Sequence, residues 1–389
     1  MRYVWMKPLA LLLLLLTFLA GVAAGEEARD IAAGCKLSVS RGGNYRENLL
    51  SADLQEYWPA APGATLTVET RDGSLAQGVV VSFASAVPTL RVEADGEVIA
   101  EYAEEFRTNY VPFTKAVSRF TITLLDGPAD VRMNRLQVLS LGEIPDWVQR
   151  WERLEGAADI MLVATHPDDE LLWFGGLLPM YAGEYQKKVI VVHTVGSSAF
   201  RHNELLAALW TCGVRYYPVI GTFPDRNVST RKECLKNWGG EEKLQKYIVE
   251  QMRKYRPSVV VTQGIDGESK HMHHKLTVQA VIDAVTELSG DASWDAATAG
   301  LYGAWQPKKL YVHLWGEDQT VFNWRQPLSA FGGEDALSVA KRAFKMHRSQ
   351  QTGRYSVEDS GQNDCRIFGL YWSSVGADEA HDDLLEHIE

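Results

Sequence analysis

The chain has 389 residues, of which 46% are hydrophobic and 23% are charged. This length is sufficient for two domains, and the composition excludes the disordered and fibrous classes. The formal charge of −11 at pH 7 argues against nucleic acid or an anionic membrane surface as a partner.

Residues 1–24 have the composition of a signal peptide. Arg2 and Lys7 precede an apolar run at 9–20, and the small residues "GVAAG" follow it. This pattern predicts cleavage after Ala24 and a secreted, periplasmic or cell-surface protein. The apolar run is short for a membrane span, so no stable span is expected after cleavage; an uncleaved N-terminal anchor is the alternative.

Residues 25–145 are predicted to form an antiparallel β-sandwich or jelly roll. Short strands are expected at 64–70, 78–84, 89–94, 118–124 and 134–141, and turn sequences such as "RDG", "ADG" and "LDGPAD" separate them. In this layout the region resembles galactose-binding-like, discoidin-type modules. The resemblance leaves two roles open, which are glycan binding by loops and packing against a neighbouring enzyme domain.

Residues 146–389 alternate between apolar strands and helices. Strands are predicted at 158–165, 187–194, 214–221 and 258–264, with helices at 168–183, 200–213 and 240–256. This alternation predicts an α/β, Rossmann-like domain with a mainly parallel sheet. Ligands bind such sheets at the carboxyl ends of the strands, so the ionisable residues that follow strands are the candidates for a site.

The first such cluster is "HPDDE", His166 to Glu170, directly after a buried strand. Asp168 or Asp169 would serve as a cap for the following helix, since acids suit a helix N-terminus. Capping explains one carboxylate but not a histidine before proline. His166 and Asp169 are three residues apart, which lets both side chains reach one ion.

The second cluster is "DGESKHMHH", again directly after a strand, and it holds three of the ten histidines within four residues. His271 and His274 would project to the same side at a helix start. One histidine and one carboxylate from the first loop, with one histidine from the second, make a His₂Asp set. That set with an open position is typical of hydrolytic zinc, and it leaves an acid as base and a histidine as electrophile.

Four motifs resemble the PIG-L/LmbE family of metal-dependent N-deacetylases, namely "THPDDE", "RHNE" at the second helix, "FPD" at 223–225 and "HMHH". The resemblance covers roughly residues 157–380. It implies that His166, Asp169 and His274 bind Zn²⁺, or another divalent transition metal. It also implies that Asp168 is the general base for a zinc-bound water and that His271 stabilises the oxyanion.

The resemblance also implies that Arg201 and Asp225 hold the sugar hydroxyls of the substrate. For Arg201 the alternative is a surface residue or a partner of Glu204, and for Asp225 the alternative is a plain turn. The same family likeness suggests that His347, on a C-terminal amphipathic helix, approaches the site. Packing is the preferred interpretation for His347, as it is for His193 in a buried strand.

The second motif departs from the family's usual "GHPDH", because His273 stands where an aspartate would orient the His271 imidazole. The partner of His271 is therefore open, and a shifted register with His273 as the metal ligand is an alternative. The four cysteines, Cys35, Cys212, Cys234 and Cys365, allow three disulfide pairings that the sequence does not rank, and without a CxxC motif they predict no zinc site of their own.

The sequence thus predicts an exported zinc-dependent N-deacetylase acting on N-acetylglucosamine-type sugars or glycans. The alternatives are an amidase for another acyl amide and a glycan-binding protein with a degenerate catalytic domain. The identity of the sugar, the native metal and the oligomeric state do not follow from the sequence.

Overall fold

The structure is a computed structural model that describes residues 25–40, 43–226 and 228–388. The chain divides into two compact units, Met1–Gln149 and Arg150–Glu389. The predicted signal peptide, residues 1–24, lies outside the described residues. Among the residues described, none of the helices combines the length and the apolar composition that crossing a bilayer requires.

The described residues of the first unit form antiparallel strands, one short α-helix and a 3-10 turn at Ala32–Gly34. The elements are Cys35–Val39 (β1), Arg46–Leu50 (α1), Trp58–Ala60 (β2), Thr65–Thr70 (β3), Ala76–Phe83 (β4), Leu90–Ala94 (β5), Glu97–Tyr102 (β6), Thr108–Val117 (β7), Arg119–Leu124 (β8) and Val131–Ser140 (β9). They form a five-stranded sheet, β1-β3-β8-β5-β6, and a four-stranded sheet, β2-β9-β4-β7.

Both sheets of this unit contribute to one hydrophobic core. Burial alternates along β3, β5 and β8, as expected for strands with one face inward. Leu66 and Ile122 of the first sheet belong to the same buried cluster as Val81 and Val138 of the second. The predicted antiparallel architecture is therefore confirmed, whereas the galactose-binding-like assignment stays a prediction.

The second unit has seven strands and seven α-helices among its described residues. The strands are Ile160–Ala164 (β10), Val189–Val195 (β11), Val219–Phe223 (β12), Val259–Thr262 (β13), Lys309–His313 (β14), Gln319–Val321 (β15) and Ile367–Ser373 (β16). The helices are Asp169–Leu172 (α2), Ala199–Thr211 (α3), Arg231–Trp238 (α4), Glu241–Tyr255 (α5), Met272–Asp283 (α6), Ala296–Tyr302 (α7) and Ala336–Phe344 (α8).

These strands form one mixed sheet in the order β12-β11-β10-β13-β14-β16-β15. The pairings from β12 to β14 are parallel, and β16 runs antiparallel to both of its neighbours. Strands β10, β11, β13 and β14 are buried throughout, which explains their continuous apolar sequences. The Rossmann-like description stays a prediction.

The strand order reverses at β10. The chain proceeds from β10 outward to β11 and β12, and then returns to the other side of β10 for β13. Ala164 at the end of β10 is level with His193, and Thr262 at the end of β13 is level with Val163. The loops after β10 and β13 therefore leave the same sheet edge at a topological switch point, where ligands bind in open α/β sheets.

Two predicted elements were wrong in extent. The helix predicted at 168–183 is a four-residue helix, α2, which ends before Gly175 and is followed by a π-helical turn at Pro179–Glu184. Gly175 has a φ of +49°, which interrupts the helical backbone. The strand predicted at 214–221 begins only at Val219, because Pro218 has no N–H to donate to a sheet.

The four cysteines, Cys35, Cys212, Cys234 and Cys365, are buried and free. None of the three pairings that the sequence allowed is formed.

Candidate active site

The corner after β10 brings His166 and Asp169 together through local hydrogen bonds. Asp169 Oδ2 accepts the main-chain N–H of His166 at 2.7 Å and lies 3.2 Å from its ring Nδ1. The indole Nε1 of Trp173 donates to the other oxygen, Oδ1, at 2.7 Å. Both carboxylate oxygens are thus held in place, and the one facing the histidine is fixed beside the imidazole.

Asp168 stands at the N-cap position of α2 but makes no side-chain capping bond. The alternative in which this acid serves as a helix cap is therefore wrong for Asp168. Its backbone has a φ of 142°, a region that residues with a side chain adopt at a cost and that is concentrated at functional sites. No capping hydrogen bond therefore ties this carboxylate to the helix backbone.

His274 completes a group of three donors with His166 and Asp169. His166 Nδ1 is 3.1 Å from His274 Nε2, and Asp169 Oδ2 is 3.2 Å from the same nitrogen. All three residues are buried. The structure thus brings together the two loops that the sequence analysis combined into a His₂Asp set.

The chemistry and spacing of this group fit a divalent transition metal. Ligands about 2.0–2.1 Å from a tetrahedral zinc lie about 3.3 Å from one another, close to the observed separations. Burial opposes a charged His274, but Asp169 and Glu268 nevertheless raise its pKa to about 10. The group therefore favours a positive charge at its centre, and three protein donors leave further coordination positions open.

Glu268 contacts the ring nitrogen of His274 that faces away from Asp169, a role that the sequence did not predict. Its Oε2 lies 3.1 Å from His274 Nδ1, and its Oε1 lies 2.8 Å from His313 Nδ1 at the end of β14. The main-chain N–H of Gly264 and the amide of Gln263 also donate to this buried carboxylate. A carboxylate on Nδ1 places the proton there and leaves the Nε2 lone pair for a metal.

His271 precedes α6 as its N-cap. The main-chain N–H of His273 donates to His271 Nδ1 at 3.3 Å, so a neutral His271 ring carries its proton on Nε2. Burial and the neighbouring histidines lower the pKa of His271 to about 4. The main-chain N–H of His273 thus orients the ring that an aspartate would orient in the usual family motif.

His273 does not orient His271 with its side chain. Its Nδ1 instead lies 3.1 Å from Nε2 of His166, the nitrogen that faces away from Asp169. Nitrogens of His166, His271 and His273 also lie within 4.8 Å of one another, which keeps the register with His273 as a ligand geometrically open.

The environment of Asp168 favours its neutral form. Burial, and next the charge of Asp169, raise the pKa of Asp168 to about 8. Arg201 lies 3.6 Å from Asp168 Oδ1 and donates to the main-chain oxygen of Pro167 at 2.8 Å. This carboxyl group is therefore more basic than an ordinary aspartate.

Arg201 and Asp225 meet at the same edge of the sheet. Asp225 follows β12, and its Oδ2 lies 3.6 Å from Arg201 Nη1. The Asp225 side chain is 41% exposed, whereas Arg201 is 17% exposed. Glu204 accepts hydrogen bonds from Ser349 instead. The alternative in which Arg201 is a partner of Glu204 is therefore not supported, and Arg201 faces the candidate site.

A second buried carboxylate, Glu170, supports Asp168 from within the unit. Its Oε2 accepts the main-chain N–H of Asp168 at 2.8 Å and lies 3.2 Å from His193 Nε2. Its Oε1 lies 2.7 Å from His347 Nε2. His193 and His347 are buried, as the packing interpretation expected, but each also contacts the Glu170 carboxylate. His347 follows α8 rather than lying on it.

The sequence carried only weak signals for these supporting groups. Glu170 and Glu268 belong to the two ionisable clusters, but their partners His193, His313 and His347 are distant in sequence. A histidine in a buried strand needs a polar partner, and that requirement was the available signal for His193 and His313.

The model of the PIG-L family, described as GlcNAc-PI de-N-acetylase, matches residues 161–285. The 1D-myo-inositol 2-acetamido-2-deoxy-alpha-D-glucopyranoside deacetylase of Rhodococcus jostii (strain RHA1) is 27% identical over 179 residues, covering 39% of this chain and 60% of the relative. The corresponding deacetylase 1 of Saccharopolyspora erythraea is 27% identical over 149 residues, covering 30% of this chain and 49% of the relative. The chain thus spans about half to three-fifths of the length of these curated relatives.

Among solved structures, N,N'-diacetylchitobiose deacetylase from Pyrococcus horikoshii aligns with a TM-score of 0.38 and 16% identity, covering 50% of this chain and 71% of that chain. The matched segment, residues 161–285, contains both loops that build the group of three donors. Residues 161–285 of this chain are thus similar to the PIG-L family, and deacetylases are among the relatives that this chain matches.

Proposed function

We propose that the protein is a metal-dependent hydrolase that removes N-acetyl groups from N-acetylglucosamine-type sugars or glycans. The observation that carries this proposal is the group formed by His166, Asp169 and His274, with Asp168 next to Asp169 in the chain but outside the group. Zinc is the proposed metal, because two imidazoles and one carboxylate with open positions are its usual hydrolytic ligand set.

When bound, Zn²⁺ supplies a Lewis acid that polarises the amide carbonyl and lowers the pKa of water. A cation bound beside Asp168 would favour its carboxylate form, which accepts the proton of the attacking water. Its strained backbone and the nearby Arg201 hold this carboxylate in position. His271 presents its Nε2–H to the carbonyl oxygen, where negative charge develops as water adds. The C–N bond then breaks, and Asp168 returns the proton that it took from water to the leaving amine, giving acetate and an amino sugar.

The names of the relatives support the proposed substrate class. The family description and the two curated relatives name a 2-acetamido-2-deoxyglucose unit as the group that is deacetylated. Arg201 and Asp225 are proposed to hold sugar hydroxyls, which is supported by their position between the group of three donors and solvent. Export is proposed from residues 1–24, so extracellular glycans are the first substrates to examine.

The test is acetate release from a panel of N-acetylated sugars and cell-wall fragments by the zinc-loaded protein, compared with Asp168→Ala. We expect release by the wild type and little by the variant. An amidase for another acyl group would hydrolyse other amides but not the acetamido sugars. A protein that binds no metal and is as inert as the variant would support the glycan-binding alternative.

A further inference from the structure

His166 offers two ring nitrogens, and both are engaged. Nδ1 belongs to the group with Asp169 and His274, and Nε2 lies 3.1 Å from His273 Nδ1. A neutral imidazole carries one proton. If Nδ1 presents its lone pair to a metal, Nε2 carries the hydrogen and needs an acceptor.

His273 is able to accept that hydrogen. Its Nδ1 is the ring nitrogen that lies 3.1 Å from His166 Nε2. A neutral imidazole with its proton on Nε2 leaves Nδ1 as an acceptor for His166. The carboxylate of Asp225 is farther from both rings, at 3.6 Å from His166 Nε2 and 3.8 Å from His273 Nδ1.

The position of His273 is fixed by its surroundings. The residue is 1% exposed, and its ring packs on Trp238 with centroids 4.9 Å apart. Trp238 donates in turn to the main-chain oxygen of Pro224, in the loop that contains Arg226. The acceptor is therefore held in one orientation by a tryptophan and by its place at the start of α6.

We propose that His273 is a positioning residue for the metal ligand His166: it accepts the Nε2–H of His166 and thereby keeps the Nδ1 lone pair directed at the metal. The proposal rests on the proposed metal site. In this proposal the side chain of His273, which replaces the usual aspartate, orients His166. The main-chain N–H of His273 orients His271. Such outer partners of metal-bound histidines raise metal affinity about 10–100-fold.

The experiment measures zinc affinity of the metal-free full chain by competition with a chromophoric chelator. His273→Phe keeps a ring against Trp238 but removes the acceptor, and His273→Asn retains an oxygen near the position of Nδ1. We expect Phe to weaken zinc binding about 10–100-fold and Asn to restore most of the loss. His387→Phe, the same change at a histidine outside the site, should leave the affinity unchanged. Thermal unfolding of the metal-free variants reports any loss of folding separately.

The visible spectrum of the Co²⁺-loaded protein distinguishes a positioning residue from a ligand. We expect both His273 variants to keep the wild-type spectrum, because the three donors are unchanged. A His273→Phe variant that binds zinc as tightly as wild type would refute the role of His273 alone. A changed cobalt spectrum in both variants would show that His273 is a ligand and also refute it. A wild-type chain that binds neither metal would refute the proposed function together with this inference.

Discussion

At the scale of single residues, the corner at Asp168 costs conformational energy and is held by buried contacts. Its φ of 142° lies outside the regions that residues with a side chain prefer. Glu170 accepts its main-chain N–H, and Arg201 donates to the preceding carbonyl of Pro167. Strain of this kind persists only where the surroundings fix it, and here it separates the proposed base from the proposed ligand Asp169.

Replacing Asp168 with asparagine should remove the base and preserve the metal site. We expect acetate release to fall about 10²–10⁴-fold, which is the usual contribution of a general base. Zinc affinity should stay near the wild-type value, because His166, Asp169 and His274 are unaltered. Steady-state kinetics and chelator competition on the same preparation measure both quantities. A large loss of zinc binding would instead make Asp168 a ligand.

Replacing Glu170 with glutamine should weaken the support of Asp168. Both carboxylate oxygens accept hydrogen bonds, and an amide nitrogen would face a donor at one of them. A buried group left without a hydrogen-bond partner costs about 1–3 kcal/mol, so the free energy of unfolding should fall by about that amount. The turnover number should fall as well, because Asp168 is held less firmly. Urea denaturation and kinetics measure the two effects.

The matched control for this change is Glu184→Gln, at a partly exposed carboxylate that also accepts two hydrogen bonds. We expect it to leave stability and turnover nearly unchanged. If Glu170→Gln behaved like this control, the support assigned to Glu170 would be wrong.

At the scale of elements, Gly175 allows the chain to leave the helical conformation after the short helix α2. The Cβ of an alanine at Gly175 would lie 2.9 Å from Cβ of Cys365 and closer still to its sulfur, in a backbone with a φ of +49°. Gly175→Ala should therefore lower the free energy of unfolding by more than about 1 kcal/mol, since strain and overpacking add. Urea denaturation measures the loss.

Gly300→Ala provides the comparison, because Gly300 lies in α7 and a Cβ added there would meet no atom within 4 Å. There the alanine should be neutral or stabilising by up to about 1 kcal/mol. Equal effects of the two substitutions would contradict the explanation given for the interrupted helix.

The sequence predicted elements well where one hydrophobic pattern dominates. The amphipathic helix expected at 240–256 is α5, and the apolar run at 158–165 contains β10. The prediction was wrong at 168–183, where apolar residues continue past Gly175 but the packing of Trp324 and Cys365 requires a break. Contacts between residues so distant in sequence leave no periodic signal.

At the scale of the whole molecule, each unit has a hydrophobic core of its own. We therefore expect residues 25–149 expressed alone to unfold in one cooperative transition, and residues 150–389 alone to bind zinc with the affinity of the full chain. Thermal unfolding and chelator competition measure these properties. A second unit that folds but has lost its zinc affinity would contradict the location of the site within it.

The two-part architecture and the edge of the sheet that bears the site could be predicted from the change in strand and helix pattern. The proposed ligands His166, Asp169 and His274 could be named from the sequence because they cluster after strands. The contacts that Glu268 and Glu170 make with histidines could not be predicted, because each carboxylate contacts histidines from separate strands or loops. The direction of the His273 side chain depends on the loop after β12, which the local sequence around His273 does not specify.

The most direct test of the central claim is acetate release measured while Zn²⁺ is titrated into the metal-free protein, with the best acetamido sugar of the panel. We expect no release without metal, and an increase that follows bound zinc and saturates as the site formed by His166, Asp169 and His274 fills. Release that is equally fast without metal, or a zinc-saturated protein that hydrolyses none of these sugars, would contradict it.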